Sequence, residues 1–183
     1  ALINWGQAMK LSLDPSSSCI GWAVFDEGPE IIAAGRLRSK PIRHKDPLYR
    51  VNSMLSQLPD ALKEFDVSLK QISEAIVESP SSHPGSRHKG KGAGLATYGF
   101  AAGMVFQWCC QKFKSVVAIK VDVWTSRGPY RHKKKRSYSA KLYYPPYKEL
   151  KDEGHDIADA ICLAYWWDKE NKIEAAKNRR KTK

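Results

Sequence analysis

Residues 10–25 read Lys-Leu-Ser-Leu-Asp-Pro-Ser-Ser-Ser-Cys-Ile-Gly-Trp-Ala-Val-Phe, and they restrict the fold more than any other stretch of the chain. A short apolar strand ends on Asp14, a Pro-Ser-Ser-Ser turn follows, and a second apolar strand begins at Cys19. Pro15 has no N–H to give to a sheet ladder, so the first strand is expected to stop at Asp14. Serines suit a tight return because their hydroxyls bond to nearby backbone. Such a unit holds a single carboxylate at the rim of a sheet. Two readings are open for Asp14. Asp-Pro-Ser is ordinary turn chemistry, the commoner meaning of these residues in isolation. The alternative, a metal ligand, requires other carboxylates to converge on the same point.

In chain order, Met9–Leu13, Cys19–Phe25 and Ile31–Arg38 are predicted strands of an antiparallel meander, the last two parted by a Glu27-Gly28-Pro29 turn. Asp46 is a predicted N-cap with Pro47 in the first helical position, and Leu48, Val51, Leu55 and Leu58 follow at helical spacing. Pro59 is expected to kink or restart that helix, with Leu62 and Phe65 continuing its apolar face. Ile72–Glu78 is a short buried strand that also ends on an acid. A loop rich in Gly, Pro, Ser and cations occupies about 79–92. Ala93–Phe113 reads as a helix whose Ala96, Gly99, Ala101, Ala102 and Gly103 allow another helix to approach closely, within the fold or in a dimer. Ser115–Val121 is a fifth strand, and 124–147 is expected to be a long basic loop. Asp156–Lys172 is the last strong helix, and Lys177–Lys183 a disordered basic tail. The order predicts an α/β fold, a mixed five-stranded sheet flanked by helices, in one domain over 1–176. Ligands of such sheets gather at the carboxyl ends of strands, where Asp14 and Glu78 lie.

Composition narrows the partner. Lys and Arg number 31 against 19 Asp and Glu, a net charge of +12 on 183 residues. That excess favours a polyanion, nucleic acid before an anionic membrane. No apolar run approaches the roughly 20 residues needed to span a bilayer, and the first residues do not read as a secretory signal. The four cysteines, Cys19, Cys109, Cys110 and Cys162, sit in apolar segments without Cys-x-x-Cys spacing. Buried free thiols in a reducing cytoplasm are therefore expected, not a zinc site or disulfide frame.

The last helix opens His155-Asp156-Ile157-Ala158-Asp159-Ala160. Asp156 and Asp159, three apart, share a helix face. Attraction to the positive helix end explains Asp156 well, but Asp159 less well, since a nearly unbroken apolar run follows to Trp167. His155 is a neighbouring candidate for ligation or proton handling. Three or four converging carboxylates repel one another and call for a divalent cation. Two ions about 3.5–4 Å apart can clamp the attacking and leaving oxygens of a phosphodiester.

On Leu13-Asp14-Pro15-Ser16 with Gly21-Trp22-Ala23, on Ile76-Val77-Glu78, and on Asp156-Ile157-Ala158-Asp159-Ala160, the chain resembles the RuvC-type Holliday junction resolvases of the ribonuclease H-like nuclease superfamily. The resemblance runs from about Lys10 to Lys172. It implies that Asp14, Glu78, Asp156 and Asp159 bind two Mg²⁺ (or Mn²⁺). It further implies a homodimer that nicks opposing strands of a four-way DNA junction with water as nucleophile, Ala93–Phe113 contributing to the dimer interface. The family's glycine-rich turn after the first acid is Pro-Ser-Ser-Ser here. The long basic insertion Arg131–Arg136 brings the chain closer to a phage or viral branch, whose members act in the host cytoplasm.

Two basic segments are candidate DNA contacts: Arg87, Lys89 and Lys91 after the second acid, and Arg131, Lys133, Lys134, Lys135 and Arg136 after the fifth strand. Tyr138, Tyr143, Tyr144 and Tyr147 follow the second and are equally suited to stacking on unpaired bases or to packing. Gly85–Gly92 nearly matches a phosphate-cradling P-loop, but Gly92 replaces the metal-binding hydroxyl and Glu78 ends its strand too early, so no nucleotide cofactor is expected. Trp166 and Trp167 point to different faces of the last helix and are expected not to bury against one sheet together. The remaining alternatives are a ribonuclease H-fold nuclease for other branched DNA or RNA–DNA hybrids, and a non-catalytic nucleic-acid-binding protein.

Overall fold

The computed structural model describes residues 8–26, 28, 30–40, 45–81, 92–126 and 128–181, with backbone alone at 92–94 and 174–181. Five strands, β1 (Met9–Pro15), β2 (Cys19–Phe25), β3 (Ile31–Arg38), β4 (Ile72–Ser79) and β5 (Ser115–Lys120), form one sheet in the order β3-β2-β1-β4-β5. The meander β1-β2-β3 is antiparallel, while β4 pairs parallel with both β1 and β5. Parallel neighbours need a crossover, and helices supply it. α1 (Pro47–Leu55) and α2 (Leu58–Lys63) lead from β3 to β4, and α3 (Gly92–Lys112) leads from β4 to β5. β1 runs one residue beyond Asp14, with Pro15 opposite Ile20, and the ladder ends there. Ser16 then closes the turn: its N–H donates to the Cys19 carbonyl at 2.8 Å and its Oγ accepts from the Cys19 N–H at 2.9 Å.

β2 is buried along its whole length, and its alternation divides the core between the two faces of the sheet. Trp22 and Val24 join Leu11, Leu13 and Leu37 under Val51, Met54, Leu58 and Leu62 of the α1–α2 segment and Ala101, Val105 and Cys109 of α3. Ala23 and Phe25 face the other way, packing with Ile76 and Trp124 against Ile157, Ile161 and Ala164 of α6 (Asp156–Lys181). Each fully buried Leu, Ile or Phe contributes about 1.5–3 kcal/mol. A buried serine fixes α6 to the sheet: Ser12 Oγ donates to the Ala160 carbonyl at 2.8 Å. No helix among the described residues is long and apolar enough to cross a membrane.

Asp46 caps α1, accepting from the Leu48 N–H at 2.9 Å, and the helix breaks after Leu55 and restarts at Leu58, just before Pro59. Four expectations need correction. The region 124–147 is not one long loop: Val121–Trp124 forms a turn of helix, α4, and Lys133–Tyr143 forms α5. The charge run concealed a buried stripe at helical spacing, Arg136, Ser139 and Ala140. The backbone of α6 continues helical to Lys181, through most of the expected tail. Good helix formers and cations at a helix C-terminus explain this. Of the four cysteines, Cys110 is exposed, because it lies one residue off the buried Ala101-Val105-Cys109 face of α3. Trp166 and Trp167 are both half-buried and both reach the α6 side of the core, Trp167 by donating its indole N–H to Glu74 at 3.1 Å.

Candidate functional site

Parallel pairing of β1 with β4 sets Leu13 opposite Val77, so the next residues, Asp14 and Glu78, leave neighbouring strands at the same edge. Their carboxyls stand close enough that each acts on the other's protonation. Asp14 is partly exposed in a recess, and its pKa is raised well above the ordinary carboxylate range. Loss of hydration is the first cause, followed by the charges of Glu78, Asp159 and Asp156. Glu78 is 6% exposed. Tyr98 Oη donates to its Oε1 at 2.6 Å and Trp124 Nε1 to its Oε2 at 2.8 Å. Burial nevertheless dominates, pushing the Glu78 pKa up to about 7 against the relief those donors provide.

The third element is the start of α6. Gly21, paired with Asp14 across β1 and β2, carries it: a Cβ on Gly21 would lie 2.0 Å from the Asp156 carbonyl oxygen. Absence of a side chain therefore lets the first turn of the helix rest on the strand beside Asp14. Asp152 holds that turn, accepting from the Ile157 and Ala158 N–H groups at 3.2 and 2.9 Å and from Tyr147 Oη at 2.8 Å. Asp159 thus arrives buried and facing Asp14 and Glu78. Asp156 is partly exposed at the rim, where its charge, after burial, helps to push the Cys19 thiol up. His155 has φ +67 and turns its Nδ1 to Ser137 Oγ at 2.6 Å, so its ring is engaged by α5.

Both Asp159 oxygens receive a guanidinium fork, Arg136 Nε to Oδ1 at 2.5 Å and Nη2 to Oδ2 at 2.9 Å. Arg136 was expected in a solvent-facing DNA patch and instead is 6% exposed, because it sits on the inner stripe of α5. Arg131, Lys133, Lys134 and Lys135 are exposed beside it. Arg87, Lys89 and Lys91 lie outside the described residues, as does the P-loop-like stretch up to Lys91. Of the four tyrosines after the basic run, Tyr144 and Tyr147 are buried and Tyr143 stacks on Tyr165 at 3.7 Å, whereas Tyr138 is 66% exposed.

Tyr98, Trp124 and Asp152 escaped sequence reasoning. Asp152 had a local signal, an acid shortly before a helix start. Tyr98 and Trp124 had none, since only the packing of α3 and α4 brings them to Glu78. The donors gathered here, carboxylate oxygens, are those a hard divalent cation takes. Among the described residues, however, no three His, Cys, Asp or Glu side chains stand arranged to hold a metal ion, and Asp159 has both oxygens on Arg136.

A mixed five-stranded sheet with this order, covered by helices on both faces, is the ribonuclease H-like α/β fold. No protein-family model and no curated protein matches the chain. Among solved structures it is similar to T. thermophilus RuvC in complex with a Holliday junction substrate. That match has a TM-score of 0.61 and 15% identity, and it covers 89% of this chain and 96% of that one.

Proposed function

We propose that this protein is a metal-dependent, structure-selective endonuclease that resolves four-way DNA junctions by paired nicks. The observation that carries the reading is the meeting of Asp14, Glu78 and Asp159 at one sheet edge, in a fold shared with a protein seen on a Holliday junction. Asp14, Glu78 and Asp159, with Asp156 at the rim, would hold Mg²⁺ or Mn²⁺. Two ions bound there would lower the pKa of the attacking water and neutralise the departing 3′-oxygen. Tyr98 and Trp124 orient the Glu78 carboxylate, and Gly21 and Asp152 set the height of Asp159 over Asp14. The exposed Arg131 and Lys133–Lys135 would draw in phosphates without reading bases, and Tyr138, the most exposed of the four tyrosines after the basic run, would stack on an unpaired base.

Paired nicking calls for two copies of the chain. The outward face of α3 suits that role: Phe100 is 47% exposed beside a groove of about 450 Å³ lined with Leu55, Gly99, Gly103, Met104 and Trp108.

The test is cleavage of a synthetic four-way junction with Mg²⁺, mapping nicks on all strands beside flaps, forks and RNA–DNA hybrids. Symmetric nicks on opposed strands are expected. Asp14→Asn should abolish them while junction binding stays near wild type, and retained nicking by that variant would contradict the assignment. The ion pair between Arg136 and Asp159 favours one other reading, a nucleic-acid-binding protein without catalysis, and junction binding with no cleavage in any divalent cation would establish it.

A further inference from the structure

Arg136 occupies a built seat. Its Nε and Nη2 fork onto Asp159, and its Nη1 donates to the Tyr130 carbonyl at 2.7 Å. Its guanidinium carbon lies 5.4 Å from the centre of the Trp124 ring, whose N–H holds Glu78. The plane, the charge and most donors of the group are therefore accounted for. It stands among carboxylates whose mutual repulsion and burial would otherwise go uncompensated. A guanidinium and a divalent cation meet the same need there, and an oxygen aimed at one is turned from the other.

We infer that Arg136 is an internal counter-ion that stands in for the divalent cation in the metal-free protein and yields Asp159 when the cation binds. The inference rests on the reading of these carboxylates as a metal site and adds how that site is held before loading. Arg136 is a positioning residue in this account: it keeps Asp159 folded inward and delays its commitment to the metal. Because Arg136 belongs to α5, whose outer face carries Lys133–Lys135, a shift of that helix on meeting DNA phosphates would loosen the fork. Metal loading and DNA contact would thus share one element.

Mn²⁺ binding to wild type, Arg136→Gln and Arg136→Lys, followed by the electron paramagnetic resonance signal of free Mn²⁺, tests the competition. Arg136→Gln, lacking the rival charge, should bind Mn²⁺ at least about tenfold more tightly. Arg136→Lys, which keeps the charge but not the fork, should fall between it and wild type. The melting temperature of Arg136→Gln should drop without metal and recover with Mn²⁺. A purely structural role predicts the opposite sign, weaker binding by a loosened site. Equal or weaker Mn²⁺ affinity in a folded Arg136→Gln overturns the inference.

Should that variant not fold, arginine-¹⁵N-labelled wild type gives a second measure. The Arg136 Nε–H resonance, identified by its loss in Arg136→Lys, should shift and exchange faster as Mg²⁺ saturates, and an unchanged resonance overturns the inference equally. If wild type binds Mn²⁺ and these signs fail, the counter-ion role alone falls. If wild type binds no divalent cation, with or without junction DNA, the nuclease reading falls with it.

Discussion

At the residue scale, Glu78 concentrates the cost of the site. Its carboxyl moves from 4.5 to about 7, mainly through burial, and Asp14 beside it moves in the same direction. Below about pH 4.5 folded and unfolded chains both hold the Glu78 proton. Between there and pH 7 the folded chain keeps a proton that the unfolded chain has released, so stability falls as pH rises. At about 1.4 kcal/mol per pH unit the loss from this group is on the order of 3 kcal/mol. Urea unfolding of metal-free protein should therefore show a lower stability at about pH 8 than at about pH 5. Excess Mg²⁺ should flatten the difference, because a bound cation favours the ionised carboxylates. A metal-free stability that rises over this interval would contradict the buried, mutually repelling cluster. Arg136 answers Asp159 but leaves Asp14 and Glu78 with raised pKa values, strain of the kind found at functional sites.

At the scale of elements, the decisive contact is between β2 and the first turn of α6. Gly21→Ala would drive a methyl group into the Asp156 carbonyl oxygen, and that backbone is pinned by Asp152 and, one turn on, by Ser12. The helix start must lift or tilt, carrying Asp159 away from Asp14. We expect a loss of roughly 1–3 kcal/mol in stability by denaturant unfolding, and a far larger proportional loss of junction cleavage. For stability alone, Gly103→Ala is the comparison: within the chain a Cβ there meets nothing within 4 Å. The added methyl should stabilise α3 by about 0.5–1 kcal/mol. If Gly21→Ala cleaves like wild type, the placement of α6 is not what assembles the site. α5 teaches the converse lesson. Its run of cations suggested a solvated loop, yet Arg136, Ser139 and Ala140 fall on one helical face, a pattern legible in the sequence once the charges are set aside.

Across the whole molecule, the net charge of +12 favours a polyanionic partner. The exposed Lys133, Lys134 and Lys135 lie on the same helix that sends Arg136 inward, and the Lys133 charge acts on Asp159. Replacing these three lysines with alanine should weaken binding to junction and plain duplex alike. It should reduce the slope of log affinity against log salt by about 0.9 for each phosphate that the variant no longer neutralises. Fluorescence anisotropy over a salt series measures this, and an unchanged slope would remove α5 from the DNA-facing surface.

The chain's linear pattern determined the architecture. Strand–acid–turn–strand at 10–25, a second strand ending on Glu78, and a helix opening on Asp156 and Asp159 specify a mixed sheet whose edge collects acids, because strand and helix periods are local properties. Asp46 before Pro47 and the break near Pro59 were legible for the same reason. What surrounds the acids was decided only in three dimensions. Tyr98 and Trp124 on Glu78 and Arg136 on Asp159 are separated from their partners by 20 to 46 residues. No spacing rule links such pairs. Their meeting follows from the packing of helices on the sheet, and there a buried charge takes whichever partner lies within reach.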